Sequence, residues 1–387
     1  MLLVITSLNA QEIKSKKFGK GLFNLVGQDS SWTMKVGFRF QLLGTAIWNE
    51  NAPTNTSFLV RRSRLKFDGF AFSPKLKYKF ELGLSNLDMS GTSIYTANSP
   101  RYIMDASVEW NFFKNFSLWA GQGKLPGNRE RVISSGDLQL VNRSRLNSRF
   151  NIDRDMGIML KHHFNLSDTF IVREIASISQ GEGRNVATGN QGGFQYVGRV
   201  ELLPFGNFIS KGDYKGAALN REQTPKLSVA ASYEFNNDAV RTRSNRGAYM
   251  LIDDGSSLYK TNVNTLFIDG MFKYKGYSFM FEYADRTADN PIVVNSDGTE
   301  TGLAVQVGNG LNLQSGYLFS SNWEITGRYT DINMDAESGS NSDDMYTLGV
   351  SKYLAGHKLK VQSDISYTDI HGRDNPIMFR LQMDIHF

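Results

Sequence analysis

The sequence predicts an all-β protein: a 16-stranded antiparallel transmembrane β-barrel with short periplasmic turns, long extracellular loops and an inward-folded third loop. Apolar and polar residues alternate along sixteen segments, and the connections between these segments are by turns short and long. Successive side chains of a strand point to opposite faces, so each segment has one apolar and one polar face. This alternation, with short connections at one end and long ones at the other, is typical of bacterial outer-membrane barrels.

The first three predicted strands cover residues 32–48, 58–72 and 75–85, and their polar faces are strongly basic. Arg39 lies on the polar face of the first strand. The basic residues that oppose apolar ones on the second and third strands are Arg62, Arg64, Lys66, Lys75, Lys77 and Lys79. Taken alone, these strands also fit the half-buried sheet of a soluble protein, because antiparallel sheets commonly expose one face to water. The remainder of the chain favours the barrel.

Thirteen further strands continue the alternation to the end of the chain. They are predicted at residues 101–112, 116–124, 155–164, 168–180, 193–203, 226–235, 261–274, 277–286, 306–319, 322–331, 344–354, 357–368 and 377–387. No helical heptad, solenoid repeat or low-complexity linker interrupts this series. Residues 31–387 are therefore predicted to form a single barrel domain.

The connections between strands indicate two different ends of the barrel. Short turns are predicted at residues 73–74, 114–115, 165–167, 275–276, 320–321 and 355–356. Longer polar loops are predicted at residues 49–57, 86–100, 125–154, 181–192, 236–260, 287–305, 332–343 and 369–376. The connection at 204–225 is long where a short turn is due, and the order of the strands assigns it to the periplasmic end.

Composition and motifs exclude several classes of protein. No run of 18 apolar residues occurs, so no transmembrane helix is predicted. The chain has no cysteine, which removes disulfides and thiolate metal sites, and it has no HExxH, GxSxG, Walker A or dinucleotide-binding motif. We therefore predict no enzyme activity, no cofactor and no metal site. The net charge of +5 is spread over strands, so nucleic acid is not expected as a partner.

Both ends of the chain carry signals of export. Residues 1–10 are predicted to be the remnant of a secretory signal peptide, beginning at an internal methionine of a longer signal, and residues 11–30 an N-terminal periplasmic segment. The last strand alternates strictly and finishes on Phe387, an ending that resembles the recognition signal of the barrel assembly machinery. From these features we predict a protein of the bacterial outer membrane, in contact with lipid and lipopolysaccharide.

The basic faces are predicted to line the lumen. A cation on the lipid face near the bilayer midplane costs roughly 2–4 kcal/mol, so several on one strand point inward. Rings of arginine and lysine in a pore select anions, and the planar guanidinium matches phosphate oxygens. The sequence thus predicts an anion-selective diffusion channel, with phosphate, polyphosphate or another inorganic anion as its cargo. A general or sugar porin and a non-conducting structural barrel are the alternatives.

The longest loop, residues 125–154, follows the fifth strand and is rich in arginine. A loop of this length in a compact fold is usually functional. We predict that it folds into the lumen and forms an anion-binding constriction with wall residues Arg39, Arg62, Arg64 and Lys66. The alternative is a solvated exterior loop. Its candidate anion-binding residues are Arg129, Arg131, Arg143 and Arg145.

Several segments resemble the phosphate-selective porin O and P family, and the resemblance covers nearly the whole chain from residue 32. They are RRSRLKFDG (61–69), GQGKLPGNRERVISS (121–135), NRS (142–144), GYLF (316–319), GRYT (327–330) and GHKLKVQSD (356–364). The resemblance implies a homotrimeric outer-membrane channel with arginines at its constriction and a path lined by Lys75, Lys77 and Lys79. Arg61 and Arg62 match the family's arginines on the second strand.

Overall fold

The computed structural model describes residues 18–50, 52–373 and 375–387. The sixteen barrel strands are β1 Trp32–Asn49, β2 Ala52–Ala71, β3 Ser73–Gly83, β4 Ile103–Phe113, β5 Phe116–Lys124, β6 Arg154–Asn165, β7 Ile171–Ser179, β8 Gln195–Leu203, β9 Lys226–Ala239, β10 Thr261–Tyr274, β11 Tyr277–Ala288, β12 Gly308–Leu318, β13 Trp323–Met334, β14 Asp343–Tyr353, β15 Leu359–Ile370 and β16 Ile377–His386. The proposed signal-peptide remnant lies outside the described residues.

The strands form one closed antiparallel barrel, as the sequence predicts. Each strand pairs with the next along the chain, and β16 returns to pair with β1 from Arg39 opposite His386 to Trp48 opposite Ile377. Closure satisfies the backbone donors and acceptors that an open sheet edge would leave bare in a membrane. A short strand, Phe23–Val26, adds to β1. No described helix is long and apolar enough to cross a bilayer.

The outer surface of the barrel is apolar and carries aromatic side chains. Large exposed aromatic residues at the end with the short turns include Phe72, Trp110, Phe113, Tyr317, Phe319 and Trp323. Aromatic girdles of this kind lie at the membrane interfaces of outer-membrane barrels. The predicted assignment of the apolar face to the exterior holds for these strands.

Tight turns join the strands at one end, which we call the short-turn end. Lys275 and Gly276, between β10 and β11, have φ values of 44° and 92°. Two consecutive residues with positive φ are what a two-residue hairpin of type I′ requires, and glycine adopts this conformation without strain. The predicted turn at 275–276 is confirmed.

The predicted loop at residues 49–57 is wrong. β1 and β2 extend as a long hairpin through this region, with Thr45 opposite Ser57 and Ile47 opposite Asn55. The hydroxyl oxygens of Thr45 and Ser57 lie 2.6 Å apart. Threonines favour strands because they are β-branched, and the polar composition reflects a hairpin that faces water on both sides.

The other long connections form the opposite, long-loop end, and several have secondary structure of their own. Small hairpins pair Arg241–Arg243 with Arg246–Tyr249, Leu251–Ile252 with Ser257–Leu258, and Ile292–Val294 with Glu300–Ala304. Among the described residues are three short helices, α1 Asn86–Met89, α2 Arg129–Val132 and α3 Arg145–Phe150, and 3-10 turns at Ile94–Thr96, Asp253–Gly255 and Ala336–Ser338. A further 3-10 segment, Ile209–Tyr214, belongs to the connection at 204–225 of the short-turn end.

Two connections fold inside the barrel and fill part of it. The third loop, residues 125–153, enters from the long-loop end, and the connection at 204–225, which we call the inner connection, enters from the short-turn end. They meet where the Gly216 amide donates to the Asp137 carbonyl at 2.7 Å. An apolar cluster packs around this contact between the two loops and the wall. Its members are Ile133, Leu138, Ile171, Leu203, Phe208, Met271 and Met280.

A second apolar cluster fixes the far side of the third loop. Its members are Leu125, Leu146, Phe150, Ile152, Val197, Phe267, Ala284 and Ile332. Val197 and Phe267 belong to the inward faces of β8 and β10, so the inner wall is apolar where the loop rests on it. Burial of this surface keeps the loop inside the lumen.

Candidate anion pathway

A β-bulge brings two consecutive arginines of β2 to the inside of the barrel. Arg62 is opposite Gln41 and Val60 is opposite Leu42, so Arg61 has no partner on β1. The extra residue interrupts the alternation of faces. Arg61 donates to the third loop at the Val141 carbonyl, 2.8 Å away, whereas Arg62 donates to the Gln41 side chain at 2.7 Å.

The third loop is fixed to the inner wall by buried hydrogen bonds. The Glu130 amide donates to Glu282 on β11 at 2.6 Å, and the Val141 amide donates to Asp364 on β15 at 2.9 Å. Lys360 donates to the Leu138 carbonyl at 2.7 Å. These partners come from well-separated strands of the wall, so the loop spans the lumen.

Between the third loop and the wall formed by β2 to β6 lies a cavity of about 470 Å³, which we call the arginine cavity. Eleven basic side chains and two carboxylates, Asp88 and Asp153, line it. The basic residues are Arg62, Arg64, Arg101, Lys124, Arg131, Arg143, Arg154, Arg184, Arg241, Arg243 and Arg246. They converge from the wall, the third loop and the loops of the long-loop end.

Only three of these cations form ion pairs within the described part of the chain. Arg64 pairs with Asp88 at 2.7 Å, Arg154 with Asp105 at 3.1 Å, and Arg131 with Asp153. The others donate to neutral groups. Among them, Arg143 donates to the carbonyls of Glu130 and Ile133, and Lys124 to those of Val132 and Ile133. The cavity therefore keeps a large uncompensated positive charge.

This crowding destabilises the charged form of the loop arginines. Burial, together with the charge of Arg64, lowers the pKa of Arg143 to about 9. Burial, together with the charge of Arg101, lowers the pKa of Arg184 to about 9. An anion in the cavity would raise the pKa of both arginines again, because it supplies the missing opposite charge.

A second cavity of about 260 Å³ lies at the short-turn end, and we call it the vestibule. Its charged side chains are Lys35, Arg39, Arg64, Lys66, Asp68, Lys79, Glu81, Asp137 and Lys358. Arg64 lines both cavities, so the two meet at this residue.

Charges in the vestibule are largely paired. Lys66 pairs with Asp68 at 2.9 Å, and Lys79 pairs with Glu81 at 3.0 Å. Arg39 pairs with Asp384 at 3.0 Å and donates to Ser135 of the third loop at 2.8 Å. The lumen thus changes from unpaired arginines to paired lysines and carboxylates along its length.

Not every residue predicted for the site reaches these cavities. Arg129 of the third loop is fully buried against the opposite wall, where it pairs with Asp269 of β10 at 2.7 Å. Arg145 donates to Asp343 at 2.8 Å outside the arginine cavity. Lys75 and Lys77 are exposed on β3 near the short-turn end, and of the three predicted path lysines Lys79 lines the vestibule.

Six arginines of the cavity were missed by the sequence analysis, and one of them, Arg154, is the first residue of β6. Arg101, Arg184, Arg241, Arg243 and Arg246 come from connections at the long-loop end. The run RTRSNR at residues 241–246 is a local signal that could have been used. Its position beside the third loop, however, depends on how three separate connections pack.

The closed barrel is similar to solved outer-membrane proteins. An anion-selective porin from Comamonas acidovorans is 11% identical, with a TM-score of 0.59 over 92% of this chain and 100% of that one. The trimer form of OmpT, an outer membrane protein of Vibrio cholerae, is 14% identical, with a TM-score of 0.54 over 92% and 99% of the two chains. The likeness concerns the fold, which is that of an outer-membrane porin.

Sequence comparison gives the family. The model of the phosphate-selective porin O and P family matches residues 35–376. The chain therefore belongs to this family and to the bacterial outer membrane, which confirms the resemblance seen in its motifs. A protein of Aquifex aeolicus (strain VF5), described as uncharacterized, is 23% identical over 367 residues, covering 88% of this chain and 83% of that protein.

Proposed function

We propose that this porin is an anion-selective diffusion channel that binds phosphate or polyphosphate transiently in the arginine cavity. The observation that carries the proposal is the unbalanced charge of that cavity, with eleven basic side chains against two carboxylates. Walls of low dielectric constant focus such a field on an entering ion. Cations are repelled by the same field, which supports selectivity as well as attraction.

The type of side chain favours oxyanions. Ten of the eleven cations are arginines, whose planar forks donate two parallel hydrogen bonds to a phosphate group. A volume of about 470 Å³ accommodates more than one phosphate group, so pyrophosphate and short polyphosphates fit the same space. Chloride is a single atom, so it cannot offer a separate oxygen to each N–H group of a fork as phosphate does.

We propose that an anion passes through the two cavities in turn, in the direction set by its own concentration gradient. An anion enters from the long-loop, extracellular end, exchanges its water for guanidinium contacts in the arginine cavity, and passes Arg64 into the vestibule. There the cations already have carboxylate partners, so they hold the anion less tightly. Binding that weakens along the path allows release toward the periplasm, since conduction needs sites that are weak enough to leave.

The assembly is proposed to follow that of its relatives. The family and the trimeric OmpT neighbour support a homotrimer in outer-membrane lipid and lipopolysaccharide. The terminal Phe387 remains the proposed signal for the barrel assembly machinery. Its amide donates to the Phe38 carbonyl at 2.8 Å, so the last residue is held in the β1 ladder.

Planar-bilayer recording tests the function. Purified protein should give a reversal potential in a KCl gradient that indicates preference for chloride over potassium, and phosphate should block the chloride current. The double variant Arg62→Ala, Arg143→Ala should weaken the block. Cation preference, or a chloride current that phosphate leaves unchanged, would contradict the proposal and favour a general porin.

A further inference from the structure

A third cavity lies beside the vestibule at the short-turn end. Its volume is about 340 Å³, and it lies between the inner connection, the turn from β14 to β15 and the tip of the third loop. Its ionisable side chains are Asp137, Lys215, Arg221, Glu222, Lys273, His357 and Lys358. Asp137 and Lys358 also line the vestibule, so this side chamber adjoins the conducting path.

His357 has an unusual position in the side chamber. The residue is 7% exposed, and neither ring nitrogen has a hydrogen-bond partner among the described residues. Its ring packs edge-on against Tyr353, with centroids 5.3 Å apart, which fixes the ring plane. A buried polar group without a partner costs about 1–3 kcal/mol, so a pair of free nitrogens facing a cavity calls for a ligand.

The surroundings of His357 define what that ligand carries. Burial, followed by the charges of Lys360, Lys273 and Lys215, holds the pKa of His357 well below its usual value. The ring is therefore neutral, with one nitrogen that donates and one that accepts. Lys273 donates to the carbonyls of Lys215 and Ala217, both at 2.8 Å, and retains one further proton for a ligand.

Charge and hydrogen bonding together favour one class of anion. Three lysines and an arginine against two carboxylates leave the chamber positive. Monohydrogen phosphate is a dianion that also carries a P–OH proton, so it can accept from the lysines and donate to the accepting nitrogen. Sulfate at neutral pH has no such proton and would leave that nitrogen unpaired.

We propose that the side chamber is a second anion subsite, at the periplasmic mouth, which takes a protonated tetrahedral oxyanion such as monohydrogen phosphate on His357, Lys215 and Lys273. This inference rests on the proposed function, because the vestibule delivers the anion to the chamber. The subsite would hold phosphate next to the exit and raise its local concentration there.

Anomalous diffraction tests the subsite directly. Crystals of the full chain are soaked at neutral pH in arsenate, which has the same proton as phosphate, or in selenate, which like sulfate has none. Arsenate should give an anomalous peak roughly 4 Å from a His357 ring nitrogen, because the arsenic lies one As–O bond beyond an oxygen at hydrogen-bond distance. Selenate should give no peak there. An empty chamber in arsenate, or equal arsenate and selenate peaks, would overturn the inference.

Variants separate this inference from the proposed function. His357→Phe keeps an aromatic ring against Tyr353 and should abolish the side-chamber peak, and Lys215→Met should reduce its occupancy. In both variants the arsenate peak in the arginine cavity should persist. In the wild type, a peak in the arginine cavity alone refutes the subsite and supports anion binding in the main channel. A peak in the side chamber alone supports the subsite and refutes anion binding in the arginine cavity.

Discussion

The two halves of the barrel use similar charged residues in different ways. On the wall from β7 to β15, which we call the filled half, lumen-facing charges are buried and bind each other or the inserted loops. Arg199 and Asp269 there lie 2.6 Å apart, both with side chains 0% exposed. On the wall from β1 to β6, the open half, Lys66 pairs with Asp68 but keeps 43% of its side chain exposed.

This difference shows that inward charge alone does not make a pore lining. In the filled half, the ion pairs of Asp269 have lost their water, and one of them holds the third loop in place. Arg129, for example, pairs with Asp269 and also donates to the Asp213 carbonyl of the inner connection at 3.1 Å. The inserted loops therefore occupy the lumen beside the filled half, and the space that remains open lies against the basic strands of the open half.

The largest expected effect comes from breaking the filled half. Asp269 accepts hydrogen bonds from both Arg199 and Arg129. Asp269→Ala leaves the buried Arg129 without a carboxylate partner and Arg199 with Glu201 alone, and should lower the free energy of unfolding by about 3–5 kcal/mol. Denaturant unfolding of the reconstituted barrel, followed by tryptophan fluorescence, measures the loss.

The matched carboxylate in the open half is the control. Asp68→Ala removes the partner of a partly exposed lysine and should change the free energy of unfolding by less than about 1 kcal/mol. Equal losses in the two variants would show that the halves do not differ in the way described.

The next effect concerns binding in the arginine cavity. Charged hydrogen bonds contribute about 1.5–3 kcal/mol, so Arg143→Ala should weaken phosphate block roughly 10- to 100-fold. Arg373→Ala removes an exposed arginine outside the cavity and serves as the control. Half-blocking phosphate concentrations in planar bilayers give both values, and a control as damaging as the test variant would argue against a localised site.

The neighbouring arginines of the β2 bulge sharpen the comparison. Arg61 fastens the third loop through Val141, so Arg61→Ala should lower the free energy of unfolding by about 1–3 kcal/mol and raise single-channel conductance. Arg62→Ala should weaken phosphate block and leave stability nearly unchanged. Conductance and unfolding of the two variants, measured side by side, check this division, and matching profiles would refute it.

The smallest effect is expected in the vestibule. Lys66→Met removes one exposed partner of an ion pair, which contributes about 0.2–1 kcal/mol. Phosphate block should therefore change less than about fivefold, and the effect should shrink as KCl rises from about 0.1 M to 1 M, because salt screens exposed charges. A change that is independent of salt would place Lys66 in a buried binding site instead.

The sequence predicted the strands well because period-2 alternation is local. The predicted bounds of β5 and β10 match the structure at both ends. The sequence analysis missed the hairpin across residues 49–57, because its strands extend beyond the membrane and no longer need an apolar face.

The candidate site was predictable only in part. The alternation of faces along β2 predicted that Arg62 and Arg64 point into the barrel. The position of the third loop predicted that Arg131 and Arg143 lie beside them. The sequence pattern could not show that Arg129 lies outside the cavity, because its burial depends on Asp269, a residue 140 positions away. The pattern also could not identify the cavity arginines of the other loops, because only the tertiary packing of those loops brings them together.

Cysteine accessibility tests most directly the claim that anions pass through the open half alone. The chain has no cysteine, so single substitutions report cleanly. Ser107 on β4 is half-buried, and Ser232 on β9 is 1% exposed and bonded to Arg199. A negatively charged methanethiosulfonate reagent should reduce the current through Ser107→Cys and leave that through Ser232→Cys unchanged. Reaction at Ser232→Cys, with none at Ser107→Cys, would contradict the account.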